Sequence, residues 1–336
     1  MTMLTKYGAV QGYPILQTGR VFFVSPAAGY LLNGDTYSAS DDNDGLSPER
    51  ALRTISRSIV LATAAAGDVI VLLEGTHTVT EAISVSKAGL SFYGVGKYDE
   101  KFNVWNPKTV VTSTGTNTNL FNITADNCEI AYCKLRPTTA YSAVITTGTS
   151  NVDGIYVHDC YFDLVTPAVS LGTSGIDLTT RASATASPIG VKGFTGGATV
   201  YATAYIKANV FVADGAQGPA VWLASCYAYV QDNIFQNDGG GTWASPFVIA
   251  TASRVVTIRD NVWIAAGIMG CCIDGTFAVS YKNTVAIFDN VFPINMTIAT
   301  AFGPIRGFVD TSTAGMARNI ILDGNSTGVT ASRSVG

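Results

Sequence analysis

One pattern recurs along the chain and constrains its fold more than any other feature: an apolar residue, then Asn three positions later, then an aromatic residue two further on. Full copies are Ile206, Asn209, Phe211; Val230, Asn233, Phe235; Ile258, Asn261, Trp263; and Ile287, Asn290, Phe292. Two earlier copies carry cysteine at the centre (Ile130, Cys133, Leu135 and Val157, Cys160, Phe162), and Leu322 with Asn325 forms a last partial copy. Successive centres lie 27, 49, 24, 28, 29 and 35 residues apart. A fixed period of about 20 to 50 residues marks a solenoid or array. A spacing of 24 to 29 suits one coil of a right-handed parallel β-helix, built from three short strands and three turns, and the 49 reads as two turns with one unrecognised coil. Apolar residues then fill each coil. The Asn is expected at a tight turn that needs left-handed backbone, with its amide bonding the Asn stacked above. Cys133 and Cys160 would keep that stack without the amide ladder.

Composition agrees with a β-rich solenoid. Charged residues make up only 13% of 336 positions against 47% apolar, with a net charge of −4. These values exclude a disordered polyelectrolyte and argue against a nucleic-acid groove. All five glutamates fall within the first 129 residues, and the remainder is rich in Val, Ile, Thr, Ala, Gly and Asn. No apolar run has the length of a membrane span, and the first residues lack an export-signal pattern. The six cysteines show neither metal spacing nor a compact disulfide framework, and read as buried free thiols in a reducing compartment.

From Asp68 to Asn325 the period gives about ten coils, a rod about 50 Å long at the usual strand spacing. Its ends need capping. Ser47, Pro48 and Glu49 resemble a helix start and precede Leu52, Ile55, Ile59 and Ala62 at helical spacing, with Gly67 as the stop, so residues 47–66 are expected to form a capping helix. Residues 1–46 would be an arm or attachment segment, 67–325 the β-helix and 326–336 a polar tail. With no comparable helix after Asn325, that end calls for a loop or a partner. Stretches 138–151 and 164–201 depart from the coil period and are where contacts would be built.

The stretch from Ser38 to His77, especially DDNDGLSPERALRTI and GDVIVLLEGTH, resembles the opening of pectate-lyase-like β-helices of tailed-phage tailspikes and other virion proteins. The resemblance implies a particle component assembled in the host cytoplasm, a homotrimer contacting other virion proteins and host polysaccharide, with no membrane or nucleic-acid partner.

Enzymes of this fold set a test for catalytic residues. Glycoside hydrolysis needs two carboxylates about 5 to 9.5 Å apart. Asp232, Asp260 and Asp289 precede the repeated Asn on successive coils and could meet that spacing beside Arg259, although a repeated outward turn residue explains them equally. The Asp pair, Gly-His-Gly and Arg-x-Lys set of polygalacturonases is absent. Of the two histidines, His77 reads as a turn residue. His158, next to Asp159 and flanked by Tyr156 and Tyr161, offers a sugar-binding strip if exposed, or an ordinary solvated face. Asp42 and Asp44, ahead of Gly45, have part of a calcium-loop spacing, but Ala51 stands where the loop needs Glu. No other cofactor motif is present. Three functions remain: a non-enzymatic virion spike or decoration protein, a tailspike-type depolymerase or lyase, and a bacterial carbohydrate-binding surface protein.

Overall fold

The computed structural model describes residues 19–32, 34–99, 104–114, 119–137, 143–147, 152–164, 174–177, 202–213, 219–223, 226–238, 242–243, 246–249, 255–266, 268–269, 271–274, 284–293, 305–306 and 319–327. Strands dominate, and they assemble into three long sheets of ten, nine and eight strands. The chain visits the three sheets in turn. Glu129–Ala131 lies in the ten-stranded sheet, Cys133–Pro137 in the nine-stranded one and Ala143–Thr146 in the eight-stranded one, after which Ile155–His158 returns to the first. Every ladder within these sheets is parallel; among the described residues the antiparallel pairs are the hairpins Gly29–Leu32 with Asp35–Ser38 and Gly96–Asp99 with Val104–Pro107. Such an architecture is an all-β solenoid compatible with a parallel β-helix.

The repeat pattern is the inward face of each circuit. Ile130, Val157, Ile206, Val230, Ile258 and Ile287 are completely buried and share one register across the ten-stranded sheet. The aromatic position forms a second interior file. Phe162, Phe211, Phe235 and Trp263 stack in sequence at centroid distances of 4.6, 5.1 and 4.9 Å, and Phe292 follows at 5.0 Å. Identical side chains meet because parallel strands one coil apart lie in register, at about the strand spacing of 4.8 Å.

The central Asn is buried and forms the expected ladder. The backbone N–H and the Nδ2 of Asn209 both donate to Oδ1 of Asn233, at 3.0 and 3.1 Å. Asn233 does the same to Asn261, Asn261 to Asn290, and Asn290 to Asn325. Each Nδ2 also donates to a carbonyl of the preceding coil, as Asn261 does to Val230 at 2.9 Å. At the cysteines the amide file stops: Cys160 donates its N–H to Asn209 Oδ1 at 3.1 Å, and its thiol turns to the Ile130 carbonyl.

Three expectations about the coils need correction. The left-handed residue of the turn is the one before the Asn: Tyr132, Asp159, Ala208, Asp232, Asp260 and Asp289 have φ between 51° and 62°, and Gly324 has φ 63°. Asp tolerates this conformation because its short side chain bonds locally, which leaves the Asn free to point inward. Second, the interval of 49 hides no extra coil. Val157 pairs directly with Ile206 and Tyr161 with Val210, so Asn209 stacks on Cys160 and the added length sits elsewhere in one circuit. Third, 138–151 and 164–201 are not purely inserted: Ala143–Thr146 and Ser174–Asp177 supply strands of the eight-stranded sheet, and much of the remainder lies outside the described residues.

The ends differ from the sequence reading as well. Val21–Val24, within the expected arm, is the first strand of the ten-stranded sheet and pairs with Val69–Leu72. The expected 47–66 helix is two pieces, a 3-10 turn Pro48–Arg50 and an α-helix Ile55–Leu61 capped by Thr54. Leu52 is apolar because it bridges Val24 and is buried, not because it lies on a helix face. The short helix still closes the coil interior, with Ile55 and Ile59 in one core with Phe22, Ile70 and Ile83. Backbone bonds from Phe23 to Gly45 and from Leu52 to Phe23 cover the outer edge of that first strand. At the other end, Ser326–Thr327 extends the nine-stranded sheet, so the tail begins later than 326; residues 328–336 lie outside the described residues.

Candidate functional site

The outward face of the ten-stranded sheet carries the densest group of polar and aromatic side chains among the described residues. Its positions follow from strand alternation. In one row, Ser91, Glu129, Tyr156, Tyr205, Tyr229 and Thr257 stand in register on successive coils. Two residues on, Tyr93, Ala131, His158, Lys207, Gln231 and Arg259 form a second row. The left-handed turn residues, including Asp159, Asp232 and Asp260, border the face.

Glu129 organises one end. Its Oε2 accepts from Ser91 Oγ at 2.8 Å and Tyr93 OH at 2.6 Å, while Oε1 lies 2.8 Å from His158 Nε2. The other imidazole nitrogen, Nδ1, is 2.7 Å from Asp159 Oδ2. Burial opposes charge on His158, but the hydrogen bonds to Asp159 and Glu129 outweigh it and raise its pKa above the usual histidine value. With a carboxylate at each nitrogen, the ring is held as an imidazolium that donates twice. Burial likewise opposes ionisation of Glu129, yet the bonds from His158, Tyr93 and Ser91 hold it below the usual carboxylate range. Burial and the bond to Glu129 push the Tyr93 phenol well above its ordinary value. Tyr156 stacks on the imidazole at 4.3 Å, and Tyr132 meets it edge-on at 5.4 Å.

Beside this cluster is an open depression of about 480 Å³ lined by Ser91, Asn127, Cys128, Glu129, Gly154, Tyr156 and Tyr205. Gly154 has φ 68°, and a Cβ there would collide with Asn127, so this wall is bare by necessity. From the rim, Tyr205 and Tyr229 run along the rod, 43% and 45% exposed, nearly parallel at 7° and 5.2 Å apart.

The sequence-derived candidates fall into separate places. Tyr156, His158 and Asp159 do meet, but His158 is only 4% exposed and is shielded by Tyr156, so the group is not the exposed strip envisaged. Tyr161 lies in the next sheet, where Lys134 sits 4.8 Å over its ring. Asp232, Asp260 and Asp289 mark the turn edge. Asp232 faces Lys207 at 3.8 Å, and Asp260 binds Arg259 Nε at 2.7 Å. Burial, opposed by Lys207 and reinforced by Asp260, raises the Asp232 pKa. Asp44 pairs with Arg50 at 3.0 Å and accepts from the Leu46 amide, while Asp42 donates its amide to Ser40 Oγ at 3.2 Å. Among the described residues no three His, Cys, Asp or Glu side chains converge as a metal would require. His77 is buried, its Nε2 is 3.0 Å from the Leu73 carbonyl, and burial lowers its pKa to about 4, leaving it neutral at pH 7.

Glu129, Ser91, Tyr93, Tyr205 and Tyr229 were missed from sequence. The signal was available: Glu129, Tyr156, Tyr205 and Tyr229 each stand four residues before a ladder centre, Cys133, Cys160, Asn209 and Asn233. Thr109 was missed too. It occupies the ladder position opposite Cys133, is buried, and its Oγ1 donates to the Leu72 carbonyl at 2.8 Å.

No protein-family model, curated protein or solved structure matches the chain. No helix among the described residues is long and apolar enough to cross a membrane.

Proposed function

We propose that the chain is a right-handed parallel β-helix of about ten coils that serves as a non-enzymatic component of a phage particle, a spike or capsid decoration protein. In this reading it assembles in the host cytoplasm as a homotrimer, joins other virion proteins through its N-terminal segment, and turns its flank to host-surface polysaccharide. The resemblance of Ser38 to His77 supports the particle assignment. The observation that carries the non-enzymatic reading is the engagement of the carboxylates on the outward face: Glu129 and Asp159 are tied to His158, Asp232 faces Lys207 and Asp260 is held by Arg259. An imidazole that donates from both nitrogens to carboxylates carries a proton on each and has no lone pair with which to act as a base.

Mass spectrometry of gradient-purified particles, from lysates of cells carrying the encoding DNA, should find the chain in fixed ratio to capsid or tail proteins. Light scattering of the purified chain should give three copies. Absence from particles would sink the assignment. A depolymerase is the second reading, favoured by one observation, the recurrence of Asp232, Asp260 and Asp289 at the same turn position on successive coils. Gel filtration of capsular and lipopolysaccharide glycans after incubation decides it: shortening abolished by Asp260→Asn would make the chain an enzyme.

A further inference from the structure

The depression at Glu129 is built on outward positions of the repeat, away from its buried ladder. Its lining contains an oriented carboxylate, two aromatic rings, a serine hydroxyl and a bare glycine wall, with no cation among the lining residues. Ser91, Tyr93 and His158 fix the Glu129 carboxylate, and Oε1 has a single bond among those described, to His158, where a carboxylate oxygen can accept two. The row that leaves it, Tyr156, Tyr205 and Tyr229, sets one ring on each coil: Tyr156 meets Tyr205 edge-on at 5.9 Å, and Tyr205 lies parallel to Tyr229 at 5.2 Å, so the row turns ring edges and phenol hydroxyls outward at about the strand spacing. That repeat is close to the length of one pyranose unit in an extended chain. Aromatic rings beside a hydrogen-bonding carboxylate are matched to sugars, whose C–H faces are apolar and whose hydroxyls donate.

We propose that this depression binds one residue of a neutral glycan, with the chain running along Tyr205 and Tyr229 parallel to the rod. The proposal deepens, and rests on, the glycan-contact part of the function above. Charge sets the class of sugar. Glu129 stands in the lining, and Asp159 and Asp232 border the same face. Lys207 is drawn to Asp232, and the imidazolium of His158 is spent on its two carboxylates. A uronate would meet Glu129 without a compensating cation, and like charges brought together in a partly desolvated site repel.

Isothermal titration of the full chain with cellohexaose, maltohexaose and N-acetylchitohexaose, against hexagalacturonate as the acidic probe, tests the site. At least one neutral hexasaccharide should bind with Kd below about 1 mM, and hexagalacturonate about tenfold more weakly or not at all. Tyr205→Ala should weaken binding about tenfold while lowering the melting temperature only slightly, because the ring is 43% exposed and its loss removes little beyond the stack on Tyr229. Glu129→Gln should narrow the preference for neutral over acidic sugar. Equal affinity in Tyr205→Ala, equal binding of hexagalacturonate, or no binding of any neutral probe would overturn the site. If binding fails while the chain is present in purified particles, the site alone is wrong; binding by a chain absent from particles would remove the virion assignment instead.

Discussion

Asn261 accepts at Oδ1 from the backbone and side chain of Asn233 and donates from Nδ2 to Val230, Arg259 and Asn290. Removing that amide strands buried groups on three coils at once. Asn261→Ala should therefore cost about 2 to 4 kcal/mol, above the roughly 1 kcal/mol of an average hydrogen bond, in urea denaturation followed by circular dichroism. The neighbouring Asp260 holds φ 56°. Asp260→Gly should be near neutral there, whereas Asp260→Ala should cost about 1 kcal/mol in the same assay, since a Cβ without a polar tip is strained in left-handed backbone. His158 and Glu129 make stability depend on pH in opposite senses. The raised pKa of His158 gives stabilisation that is complete below its unfolded value of 6.5 and is lost as pH rises through the folded one. The lowered pKa of Glu129 gives stabilisation present above 4.5 and lost as pH falls through the folded value. The gap in stability between wild type and His158→Gln should thus be widest between pH 4.5 and 6.5 and should shrink toward alkaline pH. A gap that widens above neutrality would contradict the imidazolium assignment.

Among the elements, the helix Ile55–Leu61 has the least local support, with seven residues and a start held from outside. Asp41 accepts from the amides of Arg53 and Thr54, both at 2.9 Å, and from Thr54 Oγ1 at 2.8 Å, while Thr54 in turn caps Arg57. Asp41→Ala should cost about 1 kcal/mol and speed amide exchange in 55–61 without altering exchange in coils beyond Asn209. Uniform acceleration along the rod would show that the cap is coupled to the whole. The same element shows why sequence reading overextended the helix: Leu52 continues the apolar spacing of Ile55 and Ile59, yet its burial comes from bridging Val24, and spacing does not distinguish the two. Inward positions were legible because parallel register repeats them at each coil. The outward row was not, because the pattern was aligned on buried residues, so Glu129 and Tyr205 went unremarked at a constant offset from the ladder. Thr109 escaped because the hairpin Gly96–Asp99 with Val104–Pro107 interrupts the period just before it.

At the scale of the whole molecule, each coil bonds only to the coils before and after it, so the stability of the rod is close to a sum over neighbours. Deleting residues 234–261, one circuit, would join Asn233 to Val262, whose strand already pairs in register with that of Ile234. The shortened chain should fold with the same circular dichroism spectrum and a cooperative melt, whereas deleting half as many residues from Ile234 should set a strand of the eight-stranded sheet where the nine-stranded one needs its own, break the circuit and leave the chain unfolded. The amide ladder also bears on how the protein ages. Conversion of an Asn to Asp begins when the next residue's backbone nitrogen attacks the side-chain carbonyl, and would leave a charge in the buried file, at high cost. For the four ladder residues Asn209, Asn233, Asn261 and Asn290 those nitrogens belong to Val210, Ile234, Val262 and Val291, all stiff β-branched residues. Each already donates its N–H to a carbonyl of the preceding coil at 2.8 or 2.9 Å. The reaction is blocked by the same sheet bonds that define the fold, so the interior of the rod should keep its chemistry for as long as its strands stay paired.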